Sequence, residues 1–146
     1  AAAGVAVATA PSVIVRDANN NPVSGETVTF AVATGGGTIT GATATTNPQG
    51  IATLGSWTLG TTAGSNTLTA TSGSLTGSPL TFTATGTPGA ATTLLITTEP
   101  SATAQNDVNF AQQPRVQLRD ANGNNVLQAG VTIMASLASG SATLGG

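Results

Sequence analysis

Apolar and polar residues alternate along several short stretches of this 146-residue chain. In residues 26–33, Val28, Phe30 and Val32 share one parity, with threonine or alanine between them. A period of two residues predicts β-strands that each bury one face, and strands of this kind require two sheets packed face to face. The predicted core comprises Val13, Val15, Val28, Phe30, Val32, Leu68, Leu80 and Phe82, with Thr27, Thr29, Thr81 and Thr83 facing solvent.

Turn-forming residues separate these runs at intervals of about 8–12 residues, which is the spacing of an all-β sandwich. They are Asn19–Pro22, Gly35–Gly37, Asn47–Gly50, Gly60–Gly64 and Ser72–Gly77. No stretch shows the apolar stripe and the caps of an amphipathic helix. The predicted fold class is therefore all-β, an Ig-like β-sandwich.

Residues 5–29 recur at 108–132, with 12 identities in the 25 paired positions. A period near 100 residues is too long for a solenoid unit but fits tandem Ig-like domains of about 100 residues. We predict that residues 1–87 form an Ig-like domain lacking its first strand. Residues 88–91 would form a linker, and residues 92–146 the N-terminal half of a second Ig-like domain.

The second unit repeats part of the strand pattern of the first. Thr92–Thr98 is its predicted first strand, Val116 and Leu118 lie on the next, and Val131, Ile133 and Ala135 on a third. Half a sandwich exposes an apolar face and open strand edges, which soluble monomers rarely tolerate. We expect these edges to be paired, either by further residues of the parent chain or by strands of a neighbouring repeat.

The chain contains no Cys, His, Lys or Tyr, and its ionisable side chains are five carboxylates and three arginines. Acid–base and nucleophilic catalysis usually recruit the missing residue types, so we expect no enzyme and no cofactor. A net charge of −2 and a pI near 4.4 argue against nucleic-acid binding. Because no run approaches 18 apolar residues, we expect no membrane insertion in this segment. The neutral, threonine-rich surface suits a secreted, extracellular or cell-surface protein.

An Asp-x-Asn-x-Asn motif occurs at Asp17, Asn19 and Asn21 and again 103 residues later, at Asp120, Asn122 and Asn124. It matches the opening of a calcium-binding loop, whose ligands alternate in this way. Asx side chains also cap turns in their own backbone. Since no glutamate closes the loop at its twelfth position, we favour turns and predict no metal site.

Trp57 is the only tryptophan of the chain. An exposed tryptophan would be a candidate anchor for a sugar or a protein, whereas a position between two sheets would make it part of the core. Trp57 shares its parity with Leu59, which favours the core. Leu54 has the opposite parity, so Gly55 is predicted to mark a bulge.

Five runs of residues together resemble bacterial Ig-like domains, in particular the invasin/intimin-type repeats of surface proteins. They are Arg16–Val23, Val28–Phe30, Thr46–Ala52, Ala63–Thr71 and, in the second copy, Gln113–Asn124. The resemblance covers essentially the whole chain. It implies a structural role in a surface stalk, an adhesin shaft or a filament, with neighbouring Ig-like repeats as partners and no catalytic residues.

Two alternatives to a structural role remain open at this stage. The domain could be an adhesin module that recognises a glycan or a host protein, or it could decorate a phage virion. The scarcity of aromatic side chains and charges speaks against a ligand-binding site.

Overall fold

The computed structural model describes residues 1–73, 75–103, 105, 108–136 and 138–140. Its regular elements are all β-strands, so the all-β prediction is confirmed for the described residues. The strands are β1 (Ser12–Ile14), β2 (Thr27–Thr34), β3 (Thr38–Thr40), β4 (Thr43–Thr45), β5 (Ile51–Thr53), β6 (Ser56–Thr58), β7 (Gly64–Thr71), β8 (Leu80–Gly86), β9 (Ala91–Thr98) and β10 (Arg115–Asp120).

One layer of the sandwich is a four-stranded antiparallel sheet in the order β4-β2-β7-β8. The register places Phe30 opposite Ala70, and Leu68 between Val32 on one side and Phe82 on the other. These apolar side chains therefore form a row across three strands on one face of the sheet. The rings of Phe30 and Phe82 lie 6.5 Å apart, centroid to centroid.

The opposite layer is built along β5 and β6, which follow each other in the chain. β1 pairs with β5, β3 pairs with β6, and both pairs are antiparallel. Residues 5–14 run beside this segment, as shown by the hydrogen bonds from Leu54 N to Pro11 O and from Val7 N to Trp57 O, both 2.9 Å long.

The core lies between these two layers and confirms five of the eight predicted members. Val13, Val15, Val28, Phe30 and Leu68 are buried, while Val32 and Phe82 are partly buried and pack against them. The four threonines predicted to face solvent are exposed. The alternation of strand residues therefore identified the buried face of both layers correctly.

The prediction that Leu80 is buried is wrong, because its side chain is 49% exposed. Leu80 is the first residue of β8, which is the last strand of its sheet. The alternation in β8 correctly predicts which face of the sheet Leu80 lies on. The opposite layer does not extend over the start of β8, so Leu80 is left exposed. Leu80 instead lines an open cleft.

Trp57 is buried in the core, as predicted, and is 2% exposed. The register change predicted at Gly55 is present, but it takes the form of a bend between β5 and β6 and not of the predicted bulge within a strand. A Cβ atom at Gly55 would lie 2.9 Å from the carbonyl oxygen of Thr40. Glycine therefore lets the backbone approach β3 and change register, so that Leu54 and Trp57 both point inward.

The β9–β10 pair forms a separate two-stranded antiparallel sheet. It confirms the predicted strands at 92–98 and 116–118. The predicted strand through Val131, Ile133 and Ala135 is wrong, because residues 131–136 are not in a strand, and Val131 and Ile133 are about half exposed. Alternation specifies which face a strand buries, but a strand forms only where a partner backbone accepts its hydrogen bonds.

Among the described residues there is no helix that is long and apolar enough to cross a membrane.

Replacing Phe30 by alanine is expected to lower the free energy of unfolding by about 3–5 kcal/mol, because a fully buried ring leaves a cavity between the layers. The matched control is Thr29→Ala, one residue away and exposed on the same strand, which should cost less than about 1 kcal/mol. Urea denaturation followed by Trp57 fluorescence would measure both. Equal losses for the two variants would contradict the assignment of the core.

Candidate functional site

The first copy of the Asp-x-Asn-x-Asn motif forms a turn organised by one carboxylate. The Oδ1 atom of Asp17 accepts hydrogen bonds from the backbone N–H groups of Asn19 (2.9 Å) and Asn21 (2.8 Å). Its Oδ2 atom accepts one from the side-chain amide of Asn21 (3.1 Å). Asp17 N in turn donates to Asn21 O at 2.9 Å. We call residues 17–21 the first turn.

The backbone of the first turn needs a residue that tolerates the left-handed region. Asn20 occupies it with φ of 70°, a conformation that asparagine adopts more readily than most residues. The side chain of Arg16 donates from Nη1 to Asn20 O at 2.8 Å and closes the turn from outside.

The second copy, residues 120–124, repeats this network bond for bond, and we call it the second turn. Asp120 Oδ1 accepts from Asn122 N (2.9 Å) and Asn124 N (2.8 Å), and Oδ2 accepts from the Asn124 amide (2.9 Å). Arg119 Nη1 donates to Gly123 O at 2.8 Å. Gly123 supplies the left-handed position, with φ of 80°. The predicted turn is thus present in both copies.

The second turn also contacts residues about 60 positions earlier in the chain. The Asn124 side chain donates from Nδ2 to Thr61 O (2.9 Å) and accepts at Oδ1 from Ala63 N (2.8 Å). A side-chain amide that donates and accepts in this way pairs with a loop backbone as another backbone amide would. The loop at 61–63 connects β6 to β7.

A further bond joins the second turn to the predicted linker. Gly89 N donates to Asp120 Oδ2 at 2.8 Å. Asp120 is consequently 3% exposed, whereas Asp17 is exposed. The two aspartates therefore have the same bonds within their turns but different surroundings.

Hydrogen bonds lower the pKa of both carboxyl groups. For Asp17 the main cause is the backbone N–H of Asn21, followed by its side-chain amide. For Asp120 the Asn124 side chain contributes most and the Gly89 N–H adds to it, which lowers the pKa from 3.8 to about 2. Each of these donors stabilises the ionised form of the carboxyl group.

The predicted absence of a calcium site remains a prediction. Within the described part of the chain, no three His, Cys, Asp or Glu side chains form a group that could hold a metal ion. In both turns the asparagine amide presents its NH₂ group, and not its oxygen, to the carboxylate. Calcium prefers oxygen ligands, so the observed arrangement serves the turn.

A cleft of about 440 Å³ lies beside the first turn, between β1 and the β7–β8 corner. It contains the exposed side chain of Leu80 and the start of the first turn. The residues lining it are Val13, Ile14, Val15, Arg16, Asp17, Ala18, Val28, Ala70, Ser72, Leu75, Thr76, Gly77, Ser78 and Leu80.

Alternate residues of β1 direct their backbone N–H and C=O groups to opposite edges of the strand, one facing β5 and the other facing the cleft. Pro11 and Val15 direct these groups toward β5, where Pro11 O accepts from Leu54 N and Val15 N donates to Gly50 O. Because neighbouring residues of a strand point in opposite directions, Ser12 and Ile14 direct their backbone groups to the other edge.

In the second copy, that same edge is occupied by a strand. β10 corresponds to residues 12–17, and β9 pairs with it so that Gln117, the counterpart of Ile14, lies opposite Leu95. Leu118 O accepts from Val126 N just as Val15 O accepts from Val23 N, so the two copies share one orientation. The cleft side of β1 therefore corresponds to the edge on which β9 pairs.

Comparison with models of protein families identifies the family of this chain. The family model of the bacterial Ig-like domain, group 1, matches residues 1–87. The chain belongs to this family. The resemblance to bacterial Ig-like domains is thereby confirmed, and with it an Ig-like fold. No curated protein and no solved structure matches the chain.

Membership of this bacterial Ig-like family narrows the range of functions. It indicates a surface-type structural module, and the family is one of binding and structural domains.

All six Asp and Asn residues of the repeated motif were predicted to form turns, but the residues that the second turn contacts were not predicted. Thr61, Ala63 and Gly89 contribute only backbone atoms to the second turn. Every residue type has a backbone N–H or C=O group that can make such a contact, so the sequence contained no pattern that would have identified these three residues.

Chelation should leave the folded chain unaffected, because the oxygens of both carboxylates accept N–H groups. We expect the melting temperature in EDTA to match that in calcium within a degree or so. A drop of several degrees in EDTA that calcium reverses would show that the turns hold a metal ion.

Acid titration should distinguish the two turns. Both pKa values lie below the ordinary value of 3.8, so the stabilisation from each carboxylate is complete above that pH and is lost as the pH falls, for Asp120 toward about 2. Carboxyl ¹³C chemical shifts would follow each group. We expect the pKa of Asp120 to rise when Asn124 is replaced by alanine, because the donor that lowers it most is lost. An ordinary pKa for Asp120 in the unmodified chain would contradict the bonding described.

Proposed function

We propose that this chain is a structural segment of an extracellular bacterial surface protein, in which Ig-like domains form a stalk, an adhesin shaft or a filament. The match of residues 1–87 to the bacterial Ig-like family carries this proposal. The repeat of residues 5–29 at 108–132 supports a tandem arrangement, with residues 1–87, 88–91 and 92–146 as first domain, linker and part of a second domain.

The pairing of residues 1–3 with Thr87 suits a segment that bears tension. Ala3 N donates to Thr87 O (2.8 Å) and Thr87 N to Ala1 O (3.0 Å), and the bridge between Ala2 and Thr87 is parallel. When force pulls the two ends of a domain apart, parallel segments slide along each other. The hydrogen bonds between them are then loaded together and do not open one by one.

The low charge of the chain also suits a surface shaft. Only 5% of its residues are charged, and the exposed strand positions carry threonine, which favours the pleated backbone. Such a surface is hydrated by neutral hydroxyl and amide groups. Its interactions consequently depend little on salt.

We further propose that neighbouring repeats contribute strands to one another. The cleft edge of β1 corresponds to the edge at which β10 pairs with β9, so a strand resembling Ala91–Thr98 fits there. β9 itself has several apolar side chains that are about half exposed, including Leu94, Leu95 and Ile96. Strand addition would satisfy backbone groups and cover apolar surface together.

The location of the protein tests the proposal most sharply. Antibodies raised against residues 1–87 should label intact cells of the producing bacterium, and brief protease treatment of those cells should remove the label. An abundant cytoplasmic protein, probed in the same cells, is the control for lysis. Signal only after lysis would contradict the proposal, and signal confined to purified virions would favour the phage alternative. Glycan binding at the cleft, abolished by Leu80→Asp, would favour the adhesin alternative.

A further inference from the structure

We propose that the first turn docks onto the Thr61–Ala63 loop of another copy of this domain, as the second turn docks onto that loop within this chain. The Asp-x-Asn-x-Asn motif would then be a joint between consecutive domains as well as a turn. This inference rests on the proposed function, because it assumes that copies of the domain follow one another.

The two turns have equivalent structures. Six hydrogen bonds within the first turn, including those made by the preceding arginine, have counterparts in the second. The backbone and the key side chain, Asn21 or Asn124, are therefore presented in the same way. The differences lie at Asn20 and Pro22, where the second copy has Gly123 and Asn125. The contacts to the loop involve neither position.

The asparagine amides of the two turns differ in how many of their hydrogen-bonding groups are used. Asn124 uses one N–H for Asp120 and directs its other N–H and its oxygen to Thr61 O and Ala63 N. Asn21 uses one N–H for Asp17, and its residue is exposed. Its other N–H and its oxygen are thus available in the same orientation for a loop that offers a C=O and an N–H two residues apart.

The docking loop and the first turn lie far apart on the domain. The Thr61–Ala63 loop leads into β7, whereas the first turn shares the cleft with Ser72, which follows the end of β7. Eight strand residues span roughly 26 Å. Loop and turn consequently lie at opposite ends of the domain, and a contact between different surfaces at opposite ends propagates as a row.

The partner's side chains matter little to this contact. Thr61 and Ala63 take part through main-chain atoms, and the Asp120 carboxylate is reached by the backbone N–H of Gly89. Repeats that differ in sequence can therefore use the same joint if their loop keeps its shape. The asparagine of the motif, in contrast, has to be retained because it supplies both a donor and an acceptor.

Cross-linking tests the joint, since the chain has no cysteine of its own. In the full chain, Thr61→Cys and Asn122→Cys should react rapidly with a short bismaleimide, because both side chains approach Gly4. Asn124→Ala should slow this cross-link roughly tenfold or more, as loss of a tethered contact does. Leu127→Ala, at an exposed position just beyond the turn, is the matched control and should have no effect.

The decisive experiment uses a fused chain in which a second copy of residues 1–103 is added directly before residue 1. In this fused chain Asp17 follows the added copy at the same distance as Asp120 follows residues 1–103 in the original chain. Thr61→Cys in the added copy and Asn19→Cys in the original chain should then cross-link as fast as the pair in the unfused chain. Asn21→Ala should slow the reaction by the same factor, with Ser24→Ala as its control. Thr43→Cys in place of Asn19→Cys should not react.

Cross-linking no faster at Asn19→Cys than at Thr43→Cys would overturn the joint, and so would a fused chain that fails to fold while the original chain folds. Either result would leave the surface location to be judged by cell labelling. Failure of cell labelling together with a rapid, Asn21-dependent cross-link would instead retain the joint and reject the surface stalk.

Discussion

The contacts of the second turn with residues 61–63 and with Gly89 depend on one carboxylate. Asp120 accepts the N–H groups of Asn122 and Asn124 at one oxygen, and the Asn124 amide and the Gly89 N–H at the other. Both oxygens are thus used, which keeps the group ionised although it is almost fully buried. The carboxylate also orients the Asn124 amide toward the Thr61–Ala63 loop. One side chain thereby organises the second turn, holds Gly89 and orients Asn124 toward Thr61 and Ala63.

The sandwich provides a rigid base on which this contact can form. Phe30, Leu68 and Trp57 fill the space between the layers, and Asn66, which is fully buried, accepts from Gly60 N at 2.9 Å just before the docking loop. No Cβ atom would fit at Gly60, because Gly35 O approaches it directly. The start of the loop is therefore held on the sandwich by the Asn66 amide and the close approach of Gly35 to Gly60. Its residues Thr61 and Ala63 are held by Asn124.

The sequence pattern predicted strands well where local alternation coincided with a partner strand. It assigned Phe30 to the core because β2 lies inside its sheet, but it misplaced Leu80, which begins an edge strand beyond the reach of the opposite layer. It predicted a strand through Val131 and Ile133 that the structure does not form, because alternation does not specify a hydrogen-bonding partner. The two turns were predictable, since Asp and Asn bond to nearby backbone. Their docking was not, since Thr61, Ala63 and Gly89 contribute only main-chain atoms.

The second turn is expected to hold residues 61–63 and Gly89 in place in solution, and hydrogen exchange measures this contact directly. The amides of Ala63 and Gly89 donate to Asn124 and Asp120, although both residues lie outside the sandwich core. These two amides should therefore exchange slowly in the intact chain. They should exchange at the rate of a free loop once Asn124→Ala removes the acceptor for Ala63 and loosens Asp120. Exchange of both amides at the rate of a free loop in the unmodified chain would show that the second turn does not hold Ala63 and Gly89 in solution.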